Sequence, residues 1–302
     1  MALKQVKNKI ISTLKTGKVT KAMESVSAVK MRKSQERALS GKFYAEAAMR
    51  ILTRISKSTD ADLFMTQEPQ KDAKSCFVVM TSDKGLAGAL NSSVLKSVTI
   101  AIAALPKEDV RIIAFGRKAV EHFKRREYVL DGEYTNVADT VSVDDMKDVM
   151  GIVTKAFNSG EYKTVSIVYQ NFVSTFEQNA LLRQILPLDT NILETMVRDI
   201  VPKKGKFSEI ESESNGHVYT VEPSPEEVLT ALIPQLVQIM LYHAMLENKA
   251  SEHSARMVAM KNATDKSKEV AKALTLVYNK ERQAAITAEV SEITGGIAAM
   301  EN

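Results

Sequence analysis

Residues 235–294 contain neither proline nor glycine, and a stretch of that length admits few folds other than one very long α-helix. At about 1.5 Å per residue such a helix reaches roughly 90 Å, whereas helices in globular domains average about 11 to 12 residues. A rod of this kind cannot be folded away inside a small domain. The other end of the chain has a matching feature, because the first 68 residues lack proline and carry only Gly17 and Gly41. Two rods bracketing a middle section suggest a shaft.

The long segment has a heptad-like register. Met260, Ala263, Val270, Leu274, Val277, Ala284 and Ala288 fall on alternating steps of three and four, interrupted at Ser267 and Glu281, which is the pattern of a coiled-coil seam. Alanines replace larger residues toward its end, so the seam is expected to be slim. Near the N-terminus Val19, Ala22, Val26 and Val29 form the matching stripe, followed by Tyr44, Ala48, Ile51 and Ile55. Lys33, Arg37 and Ser40 occupy the same stripe between them, so the rods are expected to part there or to turn a basic side outward. The alternative is a pair of long helices packed on a globular body.

A chain of 302 residues with 44% hydrophobic and 26% charged residues has a normal soluble balance. No apolar run approaches the roughly 18 to 20 residues that span a bilayer. The opening MALKQVKNKI lacks the apolar core of a secretion signal, so the protein is expected to stay where it is made. Cys76 is the single cysteine, which excludes an intrachain disulfide and reads as a buried, inert thiol. The net charge of +4 conceals an asymmetry: residues 1–58 hold 14 Lys or Arg against 3 Glu. So cationic a segment implies an anionic partner (nucleic acid, membrane surface or acidic protein face), or simply a solvated helix face.

Between the rods, short β-rich runs alternate with helical stretches. Residues 76–80, 111–115 and 165–169 are the strands, 91–105, 117–126 and 144–157 the helices, and 181–188 a further strand that Pro187 would place at an edge. Ser142 with Asp145 forms a capping box for the third helix. This alternation predicts a small α/β layer with a mainly parallel sheet. Residues 202–217 are a polar, turn-rich loop. The C-terminal rod begins at Ser224 as cap, Pro225 in the first helical position and Glu227 at the third. Pro234 is expected to kink it, and Gly295 and Gly296 to stop it. Three segments follow: an N-terminal coiled-coil helix over 1–58, a central α/β domain over 74–217 and a C-terminal coiled-coil helix over 224–302.

Chemistry is sparse. The segment Thr81 to Asn91 (TSDKGLAGALN) follows a strand and precedes a helix, where open α/β sheets place ligands. It fits neither phosphate-binding glycine pattern, so Gly85 and Gly88 read as turn formers. His122, His217, His243 and His253 have no metal-ligand spacing. Asp83 and Lys84 have no base or nucleophile at an interpretable distance in sequence. No catalytic residue, metal site or cofactor is expected.

Three stretches carry a resemblance. VTKAMESVSAVKMRKSQ (Val19 to Gln35), SDKGLAGALN (Ser82 to Asn91) and ASEHSARMVAMKNATDKS (Ala250 to Ser267), continued by YNKERQAAITAEVSEITGG (Tyr278 to Gly296), resemble the γ subunit of the F-type ATP synthase, the rotor stalk of its catalytic head. The likeness spans the chain, with its motifs in order. It departs at Asp265-Lys266-Ser267 and Lys280-Glu281, and it lacks the cysteine insert of the chloroplast relatives.

The resemblance implies a long antiparallel two-helix coiled coil, formed by the N- and C-terminal helices, plus a central Rossmann-like α/β domain. It implies partners too: the α and β subunits of a catalytic ring, the ε subunit and the membrane c-ring, at the cytoplasmic face of a bacterial membrane. Rotation of the asymmetric shaft would drive the β subunits through states of different nucleotide affinity, coupling ion flow, expected to be of protons, to ATP synthesis or hydrolysis. ATP and magnesium would belong to the ring. By resemblance, Met23, Lys30, Arg32, Lys33 and Arg37 face acidic loops of the β subunits, as do Arg282, Gln283, Thr287 and Glu289 on the C-terminal helix. Ile293, Ile297 and Met300 would lie in an apolar bearing at the top of the ring. Two rival readings remain at this stage: a basic coiled-coil scaffold that binds nucleic acid, and an α/β enzyme with its substrate at the Gly85 to Gly88 turn.

Overall fold

The computed structural model describes residues 3–58, 70, 72–187 and 224–300, with side chains placed outside 38–58, 225–226, 229–233 and 297–300. The expected stripe residues Ser40, Tyr44, Ala48, Ile51 and Ile55 fall among those side chains, and the expected loop over 202–217 lies outside the described residues. Helix α1 (Leu3–Ser58) opens the chain and α5 (Pro225–Met300) closes it. Between them run β1 (Lys74–Met80), α2 (Leu90–Ile102), β2 (Val110–Phe115), α3 (Arg117–Lys124), β3 (Val129–Tyr134), α4 (Lys147–Asn158), β4 (Tyr162–Phe172) and β5 (Gln178–Leu186). Contacts divide the chain into two units, Met1–Ser27 with Met257–Asn302, and Ala28–Arg256.

Within the second unit the strands form one sheet in the order β3-β2-β1-β4-β5. The first four are parallel and β5 pairs antiparallel with β4. Strand β1 lies at the centre, and successive side chains point to opposite faces. Phe77 and Val79 pack with Val94 and Val98 of α2 and Phe123 of α3. On the other face Cys76, Val78 and Met80 pack with Val149 and Val153 of α4 and with Leu236, Val237 and Leu241 of α5. Helices cover both faces, so the central strands are continuous apolar runs. Burial pushes the Cys76 thiol far above its ordinary range, which makes it inert.

The expected strands and helices are present, with two additions. Strand β3 (VLDGEY) was not anticipated: Asp131, Gly132 and Glu133 break its apolar pattern, yet it pairs with β2 along Arg111–Phe115. The β5 edge strand begins earlier than its apolar run, at Gln178. The capping box at Ser142 forms differently from expectation. The Asp145 carboxylate accepts both the Ser142 backbone N–H (2.7 Å) and its hydroxyl (3.0 Å). These bonds open a 3-10 turn, Asp144–Met146, which precedes α4. The start of α5 is as expected, with the Glu227 N–H donating to Ser224 Oγ at 3.2 Å. The helix runs on through Pro234, and Gly295 and Gly296 do not stop it, since it continues to Met300. Glycine costs a helix only about 1 kcal/mol against alanine, and neither glycine takes the left-handed angles of a C-cap.

In the first unit α1 and α5 pair antiparallel. Thr20 Oγ1 lies 2.7 Å from Thr264 Oγ1, and a Cβ placed on Gly17 would sit 3.3 Å from Ser267 Cβ, so a step back along α1 is a step forward along α5. On α1 the seam is displaced from the one hydropathy selects. Val19 and Val26 are 59% and 56% exposed and Ala22 is exposed, whereas Val6, Thr20 and Ser27 are buried; Val29, which belongs to the second unit, is exposed as well. On α5, Met260, Thr264 and Ala271 are buried, and Ala263, Ser267, Val270 and Leu274 are half-buried. Val277, Ala284 and Ala288 are exposed. Small residues let the two backbones approach closely, so a glycine and hydroxyls sit where the apolar pattern puts valines.

Candidate functional site

The first candidate surface is the far end of α5. Extending the Thr20–Thr264 register places Leu3 opposite Glu281, and from Arg282 to Gly296 every residue is exposed. Residues 282–296 therefore form an exposed tip of the helix about 22 Å long. Arg282, Gln283, Thr287 and Glu289 are all exposed there. Thr287 turns its hydroxyl back onto the Gln283 carbonyl at 2.9 Å. Ile286, Val290 and Ile293 are 51–58% exposed and line the same helix. Ile297 and Met300 belong to it, although their side chains lie outside the described residues.

Along α1, Met23 is half-buried and Arg32 and Lys33 are exposed. Lys30 and Arg37 are instead engaged within the second unit. Lys30 Nζ donates to Asp139 Oδ2 at 2.7 Å, and Arg37 Nη1 donates to the Asp139 carbonyl at 2.8 Å. From α5, His253 Nε2 lies 2.9 Å from Asp139 Oδ1, and Lys249 Nζ donates to the Val137 carbonyl at 2.8 Å. Hydrogen bonds from His253 first, and from Lys30, hold the Asp139 carboxyl well below the usual carboxylate range against the opposing effect of burial. Nothing in the sequence pattern marks Asp139, because its partners lie 102 to 114 residues away.

The polar run of α5 between Glu247 and Arg256 docks that helix on the sheet. Asn248 Oδ1 accepts the Gln170 N–H (3.2 Å), Ser251 Oγ donates to the Gln170 carbonyl (3.0 Å) and Ser254 Oγ donates to the Thr175 carbonyl (2.6 Å). Arg256, paired with Glu252 at 2.7 Å, reaches the carbonyls of Lys84 and Gly85. The Thr81 to Asn91 segment is thus held from both sides. Its own Ser82 N–H donates to Asn91 Oδ1 at 2.9 Å. Asp83 Oδ1 accepts the N–H groups of Arg117 and Asn136, at 3.0 and 2.9 Å, capping α3. Gly116, at φ 85°, lets Thr81 approach: a Cβ there would lie 2.3 Å from the Thr81 carbonyl oxygen. The turn is a structural clasp. Among the described residues no group of three or more His, Cys, Asp or Glu could hold a metal ion, and no helix is long and apolar enough to cross a membrane.

The family model described as ATP synthase matches residues 2–300. The sodium-ion-specific ATP synthase gamma chain of Acetobacterium woodii is 39% identical over 305 residues, covering 99% of this chain and 98% of that one. The chain belongs to the ATP synthase gamma chain family. A second member, from Macrococcus caseolyticus, is 37% identical over 305 residues, covering 99% of each chain. Among solved structures, a chain of the Euglena gracilis mitochondrial ATP synthase (OSCP/F1/c-ring) aligns with a TM-score of 0.66 at 20% identity, covering 99% of this chain and 94% of that one. A chain of the Tetrahymena thermophila central stalk and c-ring assembly aligns at 0.58 and 22%, covering 81% and 99%. These two likenesses bear on the fold. The gamma-family architecture, two terminal helices around a mostly parallel sheet, is the one expected from the sequence.

Proposed function

We propose that this gamma chain is the non-catalytic central rotor shaft of an ATP synthase, turning inside a ring of α and β subunits and standing on the membrane c-ring with an ε subunit, peripheral to the membrane. The observation that carries the reading is the exposed tip of α5. A lone helix of this length is marginal in water, and one with Ile286, Val290 and Ile293 exposed needs a sleeve around it. Non-directional apolar contact suits a bearing, because it favours no single angle strongly. Exposed ion pairs worth roughly 0 to 1 kcal/mol suit a surface that must let go at each step.

In this reading Met23, Arg32 and Lys33 on α1 and Arg282, Gln283, Thr287 and Glu289 on α5 meet the β subunits. Arg282 can form two parallel hydrogen bonds with a carboxylate. Lys30 and Arg37 belong to the same basic group and also bond the 137–139 loop. Ile293, Ile297 and Met300 form the apical bearing. The comparisons lend no support to the nucleic-acid scaffold.

The test is reconstitution with α and β subunits and measurement of ATP hydrolysis. Turnover is expected to depend on the chain; equal turnover without it ends the rotor reading. A cysteine placed at Met23 or Gln283 and crosslinked to the β subunit is expected to block turnover until reduced.

A further inference from the structure

The loop at Val137–Asp139 gathers four donors on four acceptor atoms. Two donors come from α1, Lys30 and Arg37, which lie seven residues apart and so on one face of the helix. Two come from α5, Lys249 and His253, one turn apart. The acceptors are the Val137 carbonyl, the Asp139 carbonyl and both carboxylate oxygens of Asp139. His253 is buried, and its Nδ1 has no hydrogen-bond partner. The carboxylate can only accept, so the ring donates to Asp139 from Nε2.

When a pair of helices is twisted from one end, each tends to slide along and roll against the other. Coulomb attraction alone resists this weakly, because it falls slowly with distance. Short directional bonds to a common anchor resist it strongly, and the loop is tied at its two ends to β3 and to the turn before α4. We propose that Asp139 is a positioning residue that clamps α1 and α5 to the α/β domain, so that the two helices and the sheet turn as one under load. This inference rests on the rotor reading. The clamp matters little when the shaft turns freely and matters most when it works against an ion gradient.

The experiment uses the assembled synthase in closed vesicles, carrying wild-type chain, Asp139→Ala or the isosteric Asp139→Asn, with His253→Gln as a third variant that leaves the carboxylate in place. ATP hydrolysis with the gradient collapsed and ion pumping per ATP hydrolysed are both measured. Uncoupled hydrolysis is expected to stay within about twofold of wild type, while pumping per ATP falls roughly threefold or more in both Asp139 variants. Asp139→Glu is expected to recover more than half of the loss. Hydrolysis and pumping falling in parallel, or an unchanged ratio in assemblies that contain the variant chain, overturns the clamp and leaves the rotor intact. Wild-type assemblies whose hydrolysis is indifferent to the chain overturn both.

Discussion

In the sheet, Val78, Ile112, Ile113 and Val165 are wholly buried and helices of the same chain cover both faces. In the coil, a threonine pair and a glycine sit at the seam while Val19 and Val26 are turned to solvent. Aliphatic burial drives folding in the first region. In the second several aliphatics are left over, and the helices meet at Val6, Met260 and small residues that allow close approach. A region that satisfies its own apolar surface is a finished domain; a region that exposes it awaits partners. The contrast fits a chain in which one part is a rigid body and the other a surface to be embraced.

The contrast can be broken or sharpened by substitution. Ile112→Ala in the central layer is expected to cost about 2–5 kcal/mol by chemical denaturation followed by circular dichroism; a loss below about 1 kcal/mol would mean that the sheet is not the self-sufficient part. Asp139→Asn comes next, at about 1–3 kcal/mol near pH 7, set toward the low end because the carboxylate is partly solvated. Its pH dependence has a definite sign. The folded carboxyl titrates below its unfolded value of about 3.9, so its contribution is complete above that pH and disappears as pH falls toward the folded value. Variant and wild type should therefore converge in acid, and a constant gap would refute the ionic part of the clamp.

At the coil seam, Thr20→Val or Thr264→Val alone is expected to cost about 1 kcal/mol. The double variant should cost less than the sum of the two, and additivity would show that the hydroxyls do not interact. The smallest expected effect is the most telling. Val26→Ala should change the stability of the isolated chain by less than about 0.5 kcal/mol yet weaken its retention in an assembled ring, measured as subunit exchange. An equal effect in both settings would remove the distinction between the two regions.

The sequence made the long elements legible and the fine ones obscure, for identifiable reasons. Helices α1 and α5 follow from missing prolines and from Ser224, Pro225 and Glu227, signals local to a few residues. Strands β1, β2 and β4 are unbroken apolar runs because both their faces are covered. Strand β3 is hidden because it lies at the sheet edge and carries Asp131, Gly132 and Glu133. The seam was assigned to the wrong face of α1, since hydropathy ranks valine above glycine and threonine whereas close packing of two thin helices ranks them the other way. Arg282, Gln283, Thr287 and Glu289 are exposed, while the engagement of Lys30 and Arg37 depends on contacts more than 100 residues distant, which no local pattern carries.

The antiparallel register also fixes a trade between the two chain ends. Each residue trimmed before Val6 would strip a neighbour from α5 near Tyr278 and lengthen its unsupported cantilever by about 1.5 Å. Bending compliance of the apex thus depends on the turn of α1 that carries the buried Val6, and stripping it away would make a whippier spindle.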